Sequence, residues 1–388
     1  MIISAANRLG NVEEYYFSKK LKEIRNLNDE GKDIINLGIG SPDLPPSKET
    51  VEALSNTASK ENTHGYQSYV GIPEFRKALS DWMKTFYGTD FNPADEILPL
   101  MGSKEGIMHI SMAFVNPGDT VLVPNPGYPT YSSVSNLMGA NIQEYALDEG
   151  NHWAIDIEAL KKLDLDQVKL MWINYPNMPT GADFDKSTLV QLIGLAKKHQ
   201  FLIINDNPYS LILNNHPGSI FQIEGAKEVA IELNSLSKSH NMAGWRIGWL
   251  TGSSDYLGNV LRVKSNMDSG MFLGLQNAAI QALKNNAKWH QDQNEIYKRR
   301  KALVGQIFDL LNVSWNKEDV GMFVWGKISD DTENAGDLVD KVLYEAQVFI
   351  TPGFIFGSKG ERYIRASLCA NEPTIKKALE RIKSRLKS

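Results

Sequence analysis

Residues 235–248 read SLSKSHNMAGWRIG, the stretch around which the fold is organised. The mostly apolar run Val229–Leu233 before it predicts a buried strand. Lys238 thus follows a buried strand, where partial burial would lower the pKa of its amine and free it for Schiff-base chemistry. Arg246 stands two residues from a glycine on either side, so a tight turn can bring its guanidinium back to hold an anion. Taken alone, the stretch also fits an ordinary surface lysine.

The composition is that of an ordinary globular chain. It has 388 residues, of which 42% are hydrophobic and 22% charged, and its net charge is −5. This length predicts two domains, or one large α/β domain with a smaller lobe. The negative charge and the lack of a long basic run argue against a nucleic-acid-binding protein.

Cysteine content and hydropathy bear on location. Cys369 is the only cysteine, so no intrachain disulfide can form and the cytoplasm is the expected compartment. The first residues, MIISAANR, lack the basic-then-apolar pattern of a signal peptide. No apolar stretch approaches the length that spans a bilayer, so we expect no membrane association.

Short apolar strands alternate with helical patterns through the middle of the chain. The predicted strands are 96–101, 120–123, 141–145, 170–173, 201–204, 229–233 and 245–250, and the predicted helices include 48–60, one from Pro73, one from about Ile107 and 186–199. This alternation is typical of an α/β fold with a mostly parallel sheet that is flanked by helices on both faces.

The two ends of the chain follow a different pattern. Residues 11–30 predict a helix with Tyr15 on its inner face, and 34–37 predict a strand. The stretch 272–312 predicts one long or two shorter helices. After it, strands at 322–328, 348–351 and 363–368 and helices near 335–346 and 373–387 predict an α+β lobe. We therefore expect an N-terminal arm that belongs partly to the small domain (1–47), a large cofactor-binding domain (48–280) and a small C-terminal domain (281–388).

Polar side chains recur where the central strands end. In parallel sheets, ligands bind at this edge. Residues there include Ser103, Tyr128, Asn177, Asp206, Tyr209 and Lys238. The carboxylate of Asp206 follows four apolar residues and needs a partner, because burying a lone charge is costly. The turn Gly102-Ser-Lys precedes a predicted helix, whose free N–H groups favour phosphate.

Seven motifs in order carry a resemblance to a known family. They are Tyr66-x4-Gly-Ile-Pro, Gly102-Ser-Lys, Pro126-Gly-Tyr-Pro, Asn174-x-Pro-Asn-x-Pro-Thr-Gly, Asp206-x-x-Tyr209, Ser235-x-Ser-Lys-x5-Gly-x-Arg-x-Gly and Arg365-x-Ser. With them the chain, from about residue 30 to the end, resembles the pyridoxal-phosphate-dependent class I/II aminotransferases of the aspartate-aminotransferase fold. Pyridoxal 5'-phosphate is therefore the expected cofactor.

The resemblance implies a role for each motif residue in cofactor chemistry. Lys238 would form the Schiff base and move the proton on the substrate's Cα. Asp206 would pair with the pyridine nitrogen of the cofactor and keep it protonated. Tyr209 would hydrogen-bond the phenolic oxygen of the ring, and Tyr128 would stack on its face.

The remaining motif residues would bind phosphate and substrate. By resemblance, the phosphate is held by Ser103, Lys104, Ser235 and Arg246. Tyr66 would reach the phosphate of a neighbouring subunit, which implies a homodimer with shared active sites. Arg365 would take the substrate α-carboxylate in a bidentate fork, and the backbone of Gly40 would make the second contact.

One position departs from the family pattern. The family has asparagine immediately before Pro-Thr-Gly, where this chain has Met178, and methionine cannot donate a hydrogen bond. We expect Asn177 to replace it, with Asn174 or Tyr209 alone as the alternatives. The arginine that binds a second, distal carboxylate in some members has no clear counterpart here.

The resemblance implies ping-pong transamination from an L-amino acid to a 2-oxo acid, with 2-oxoglutarate as the expected acceptor. A β-lyase on the same fold would use the same cofactor residues. A non-catalytic cofactor-binding regulator is a further alternative, although no helix-turn-helix pattern precedes the main domain. The identity of the amino donor stays open.

Overall fold

A seven-stranded sheet lies at the centre of the fold in the computed structural model, which describes residues 3–10 and 16–386. The strands of the described residues are β1 (Ile35–Asn36), β2 (Ile97–Leu100), β3 (Thr120–Asn125), β4 (Asn141–Ala146), β5 (Val168–Ile173), β6 (Leu202–Asp206), β7 (Ala230–Ser235), β8 (Gly248–Gly252), β9 (Val313–Trp315), β10 (Phe323–Ile328), β11 (Val348–Phe349), β12 (Thr351–Pro352) and β13 (Tyr363–Ser367).

Helices cover both faces of this sheet and build the rest of the fold. Those of the described residues are α1 (Tyr16–Asp29), α2 (Lys48–Ala58), α3 (Pro73–Tyr87), α4 (Ser103–Phe114), α5 (Thr130–Leu137), α6 (Ile157–Leu160), α7 (Lys186–His199), α8 (Leu236–Ser239), α9 (Ser254–Lys264), α10 (Leu273–Ala282), α11 (Ala287–Leu310), α12 (Ala335–Ala346) and α13 (Glu372–Arg385). No helix within the described ranges is long and apolar enough to cross a membrane.

The central sheet has the order β2-β8-β7-β6-β5-β3-β4. Five strands, β3 to β7, are parallel, and β8 runs antiparallel to β2 and to β7. Every residue of β6 and β7 is buried, as expected for strands with helices on both faces. The prediction of a mostly parallel sheet flanked by helices is confirmed. The carboxyl ends of these strands therefore share one edge.

A second layer combines the two ends of the chain. It contains the antiparallel sheet β12-β13-β10-β9 and a parallel pair formed by β1 and β11. Lys20 of α1 forms an ion pair with Asp340 of α12 at 2.9 Å. The N-terminal segment thus packs on C-terminal elements, while the division at residues 47/48 and 280/281 stays a prediction.

Several elements differ from the sequence-based expectation. The helix expected from Ile107 begins at Ser103, and the strand expected at 245–250 begins at Gly248 because a 3₁₀ turn occupies Ala243–Trp245. The stretch 272–312 forms two helices, which is one of the two predicted alternatives, whereas α5, α6, α8, α9 and β9 were not predicted. The start of the first predicted helix, including Tyr15, lies outside the described residues.

Candidate active site

A cavity of about 810 Å³ opens where the central strands end. It lies between the carboxyl ends of the central strands and the layer formed by the chain ends. Ten of the predicted site residues line it: Gly40, Ser103, Lys104, Tyr128, Asp206, Tyr209, Ser235, Lys238, Arg246 and Arg365. The structure does not bring Asn177 and Tyr66 into this lining.

Lys238 sits on the short helix α8, immediately after β7. The Ser235 hydroxyl caps α8 by accepting a hydrogen bond from the backbone N–H of Ser237 at 3.1 Å. The Lys238 ammonium donates a hydrogen bond to the carbonyl of Gly40. Burial lowers the pKa of the Lys238 amine from its usual value, and the nearby Arg365 and Arg246 guanidinium groups lower it further. The neutral, nucleophilic form of the amine is therefore reached at a lower pH here than on a surface lysine.

Asp206 ends β6 and is buried. Its Oδ2 accepts a hydrogen bond from the Tyr131 hydroxyl at 2.8 Å, whereas its Oδ1 has no partner among the described residues. Burial raises the pKa of the Asp206 carboxyl to about 6, against the opposing effects of Tyr131 and Lys238. The unpartnered oxygen can accept one more hydrogen bond from a donor in the cavity.

The two asparagines of the Asn174–Gly181 turn have different surroundings. Asn174 lines the cavity, donates to the carbonyl of Asp206 at 2.5 Å and accepts from the N–H of Met178 at 2.8 Å. The Oδ1 of Asn177 accepts from the Thr180 hydroxyl at 2.8 Å, and its Nδ2 donates to the carbonyl of Asn174 at 3.2 Å. Both amides are thus hydrogen-bonded within the protein, and only Asn174 lines the cavity, so the expected contact of Asn177 with the cofactor stays a prediction.

A corner that is suited to an anion, which we call the phosphate corner, forms where α4 begins. Ser103 and Lys104 occupy the first turn of α4, where backbone N–H groups lack helical partners. Arg246 has a left-handed backbone (φ 56°), and its Nη1 donates to the carbonyl of Ala243 at 2.9 Å. Gly102 has φ 90°, and a Cβ there would lie 2.2 Å from Arg246 Nη2. The glycine thus lets the guanidinium approach the start of the helix.

Arg365 lies on β13, buried between aromatic rings. Its guanidinium carbon is 4.0 Å from the centre of the Phe323 ring and 4.7 Å from that of Phe356. Nη2 donates to the carbonyl of Gly38 at 2.8 Å, and Nη1 lies 3.2 Å from the sulfur of Met178. Burial lowers the pKa of Arg365 to about 10, so it stays cationic at neutral pH. No carboxylate of the described residues forms an ion pair with it.

Two tyrosines have opposite surroundings. Tyr209 is buried at the cavity, and burial raises the pKa of its phenol, so the hydroxyl remains a hydrogen-bond donor at neutral pH. Tyr66 is 93% exposed on a loop outside the cavity. Its predicted contact is with a second subunit and stays a prediction.

Three side chains that shape the cavity were not predicted from the sequence. Tyr131 supplies the hydrogen bond to Asp206, and the rings of Phe323 and Phe356 pack on the Arg365 guanidinium. Tyr131 lies in the first turn of α5, and its ring contacts that of the predicted Tyr128 edge-on, with centroids 5.5 Å apart. The two phenylalanines carried no local signal.

The residues of the cavity fit pyridoxal phosphate. An amine with a lowered pKa, a buried carboxylate with one unpartnered oxygen and a helix N-terminus beside an arginine match, respectively, its aldehyde, its pyridine N–H and its phosphate. The Nε of Arg365 is also buried without a partner among the described residues. The cavity thus offers groups for both the cofactor and a carboxylate.

Comparison with known proteins identifies the class. Residues 32–382 match the family aminotransferase class I and II, and the chain belongs to this family. It is a pyridoxal-phosphate-dependent aminotransferase that uses amino acids and 2-oxo acids as substrates, as predicted from the motifs.

Relatives match along the whole length. The chain is 39% identical over 382 residues to the LL-diaminopimelate aminotransferase of Oleidesulfovibrio alaskensis, covering 98% of both. It is similar to substrate-bound BacF from Bacillus subtilis, with 33% identity, a TM-score of 0.93 and 98% coverage of both chains. It is also similar to a probable N-succinyldiaminopimelate aminotransferase from Thermus thermophilus, with 29% identity, a TM-score of 0.88 and coverage of 95% of this chain and 99% of that one.

Proposed function

We propose that Lys238 moves the α-proton of an L-amino acid donor and that 2-oxoglutarate is the acceptor of its amino group. The observation that carries the proposal is the meeting of three groups at one cavity. These are the Lys238 amine with its lowered pKa, the half-satisfied Asp206 carboxyl and the Arg365 guanidinium without a carboxylate partner among the described residues. Together they provide a base, a cofactor anchor and a carboxylate site.

Pyridoxal phosphate supplies an aldehyde that bonds to amines and a ring that withdraws electrons from the adjacent carbon. Asp206 Oδ1 would accept a hydrogen bond from the ring nitrogen, and the Tyr209 hydroxyl would donate one to the phenolic oxygen. The first turn of α4, with Ser103, Lys104, Ser235 and Arg246, would hold the phosphate. These contacts would fix the aldehyde beside Lys238.

Arg365 would bind the α-carboxylate of both donor and acceptor. Its Nη1 now faces the sulfur of Met178, a weak acceptor, at 3.2 Å. A carboxylate offers a far stronger acceptor to the same fork, and the packed rings of Phe323 and Phe356 would restrict the orientation of the planar guanidinium for a bidentate contact. Carboxylate binding would therefore place the substrate α-carbon within reach of Lys238.

LL-diaminopimelate is the donor we propose. It is supported by relatives that bear this name, are 36–39% identical and align along at least 97% of both chains. A cavity of about 810 Å³ has room for a donor with a long side chain. A large apolar donor is the second candidate, favoured by apolar and aromatic side chains that also line the cavity, namely Tyr16, Phe17, Leu21, Phe354 and Ile355.

The proposed active unit is a homodimer with shared sites. Its support is Tyr66, a tyrosine that is 93% exposed at the place where the family supplies a residue to the partner's phosphate.

We also propose that residues 48–280 form the cofactor-binding domain, and that residues 1–47 join 281–388 in a smaller domain. The pairing of β1 with β11 supports this division. The single cysteine of the whole chain favours a cytoplasmic location.

A donor panel tests the proposal. The holoenzyme is mixed with 2-oxoglutarate and one donor at a time, namely LL-diaminopimelate, its meso isomer, phenylalanine, methionine or aspartate, and glutamate formation is measured. The highest kcat/KM is expected with LL-diaminopimelate. A preference for phenylalanine or methionine would support the apolar donor instead. Release of ammonia without glutamate would contradict transamination and indicate a lyase.

A further inference from the structure

A charged cluster lies outside the cavity, beside α4. It consists of Glu105 and His109 on α4 and Lys264 and Asp268 at the end of α9. His109 is 2% exposed, and neither ring nitrogen has a partner among the described residues. Its Nε2 lies 3.7 Å from Glu105 Oε1, and ligand atoms of Glu105, His109 and Asp268 lie within 4.8 Å of one another.

Glu105, His109 and Asp268 are ligand types that bind divalent metal ions, but the negative charge of Asp268 is already balanced by Lys264. The Lys264 ammonium lies 3.0 Å from Oδ1 and 2.8 Å from Oδ2 of Asp268, so it contacts both carboxylate oxygens. A metal ion on Asp268 would have to sit beside this buried cation, which is unfavourable. The Lys264 ammonium therefore balances the charge of Asp268, and it makes one further contact outside the cluster.

Lys264 holds a loop from another part of the chain, residues 64–71, which we call the Tyr66 loop. The Lys264 ammonium donates a hydrogen bond to the carbonyl of Tyr69 at 2.8 Å. Asp268 Oδ1 accepts from the N–H of Gly270 at 2.8 Å, and Gly270 packs so closely on the loop that a Cβ would lie 2.4 Å from the carbonyl oxygen of Gln67. Residues 264–272 thus form a clamp on this loop.

Two further contacts fix the ends of the loop. The ring of His64 stacks on that of Phe272 with centroids 5.8 Å apart and planes at 13°. Beyond the other end, the N–H of Ile72 donates to the side chain of Gln276 at 2.8 Å. The residues around Tyr66 are therefore anchored to the clamp, yet Tyr66 itself is 93% exposed. An anchored loop that presents a bare aromatic side chain is suited to contact a second copy of the chain.

We propose that Lys264 is a positioning residue for the active site of the partner subunit. By holding the carbonyl of Tyr69 it fixes the Tyr66 loop, so that Tyr66 of one subunit completes the phosphate site of the other. This inference rests on the proposed homodimer with shared sites. Asp268 of the clamp also lies beside Glu105 and His109 of α4, and α4 carries Ser103 of the same subunit's phosphate corner. An effect of Lys264 on its own subunit therefore has to be separated from an effect on the partner.

Hybrid dimers separate an effect on the partner from an effect on the same subunit. Hybrids are made by co-expressing two differently tagged chains. In the first, one subunit carries both Lys238→Ala and Lys264→Met and the other is wild type. In the second, one subunit carries Lys238→Ala and the other Lys264→Met. Each dimer has a single Lys238, so the visible absorbance that depends on this lysine reports pyridoxal phosphate binding at one site.

The two hybrids should differ. In the first, the site with Lys238 is served by the altered loop, and the dissociation constant of pyridoxal phosphate should rise about tenfold. In the second, that site is served by an intact loop and should bind like a hybrid with Lys238→Ala alone. Equal affinities in both hybrids, or a defect only in the second, would overturn the proposal, because Lys264 would then not act across the interface.

Matched variants keep the result decisive. Tyr66→Phe in place of Lys264→Met should give the same asymmetry, while Lys288→Met, which breaks an exposed i,i+4 pair with Asp292, should give none. If Lys264→Met fails to fold, Phe272→Leu loosens the stack on His64 without exposing a buried charge and should give the same asymmetry. Failure of the proposed homodimer would appear differently, as wild-type protein that is monomeric and chains with different tags that form no hybrid.

Discussion

The hydroxyl of Tyr131 donates to Oδ2 of Asp206 at 2.8 Å, while Oδ1 of the same buried carboxyl has no partner among the described residues. A hydrogen bond to the ionised form lowers a carboxyl pKa, yet the pKa of Asp206 is raised to about 6 because burial has the larger effect. In the protein without cofactor, this carboxylate is therefore held at a cost to the folded state.

The first prediction concerns stability of the cofactor-free protein. Because the folded state raises the pKa of Asp206 from 3.8 to about 6, it favours the protonated carboxyl, and stability is lost as pH rises through this interval. Asp206→Asn removes the ionisation. Its gain in unfolding free energy over wild type should be about 1 kcal/mol larger at pH 7.5 than at pH 5. Urea unfolding of the two proteins at both pH values measures it.

Asp319 provides a control for this prediction. Its pKa is also raised to about 6 by burial, but it lies away from the cavity. Asp319→Asn should show a pH dependence of the same sign whether or not pyridoxal phosphate is present. Asp206→Asn should lose its advantage when the cofactor is bound, since wild-type Asp206 then has a partner. An advantage of Asp206→Asn that survives cofactor binding would contradict the assigned contact.

The second prediction concerns Lys238. Lys238→Ala removes the amine, so kcat should fall by about 10⁴-fold or more. The cofactor-free variant should be no less stable than wild type. Burial disfavours the charged form of the Lys238 amine in the folded state, as its lowered pKa shows, and the variant does not bear this cost. Steady-state kinetics and thermal unfolding measure the two effects. A variant that keeps more than about a hundredth of the wild-type kcat would remove Lys238 from its proposed role.

The sequence predicts the cavity edge well because parallel strands end together. Once Asp206 and Lys238 were placed after apolar runs, sheet geometry alone brought them to one edge. Gly102 and Ser103 follow the same logic at the start of a helix. The positions of these residues follow from the local sequence pattern and from the topology of a parallel sheet, and both can be predicted from a single sequence.

Other parts of the site depend on tertiary packing that no local pattern records. Phe323 and Phe356 reach Arg365 from β10 and from the turn before β13, and only the folded arrangement brings them onto the guanidinium. Which asparagine of the Asn174–Gly181 turn lines the cavity also depends on the fold of the turn. Both amides are hydrogen-bonded within the protein, and the turn places Asn174, and not Asn177, at the cavity.

The third prediction concerns the carboxylate site. Arg365→Gln removes the bidentate fork, so KM should rise about 10- to 100-fold for donor and acceptor alike, with a smaller change in kcat. Arg362→Gln is the matched control, because Arg362 donates to the backbone carbonyls of Ser329, Thr332 and Glu333, away from the cavity. That variant should unfold more easily and keep its KM values. An increase in KM for only one of the two substrates would argue against a shared α-carboxylate site.

The fourth prediction concerns the phosphate corner. Gly102 has φ 90°, and a Cβ there would meet Nη2 of Arg246 at 2.2 Å, so Gly102→Ala should push the guanidinium aside and weaken pyridoxal phosphate binding about tenfold or more. Gly88→Ala is the control, since Gly88 also has a positive φ, 66°, but a Cβ there meets nothing within 4 Å. Both variants should lose about 1–2 kcal/mol of stability from backbone strain, as urea unfolding would measure. Titration with pyridoxal phosphate should distinguish the two variants, because only Gly102→Ala displaces Arg246. An equal loss of affinity in both variants would mean that backbone strain alone explains the effect.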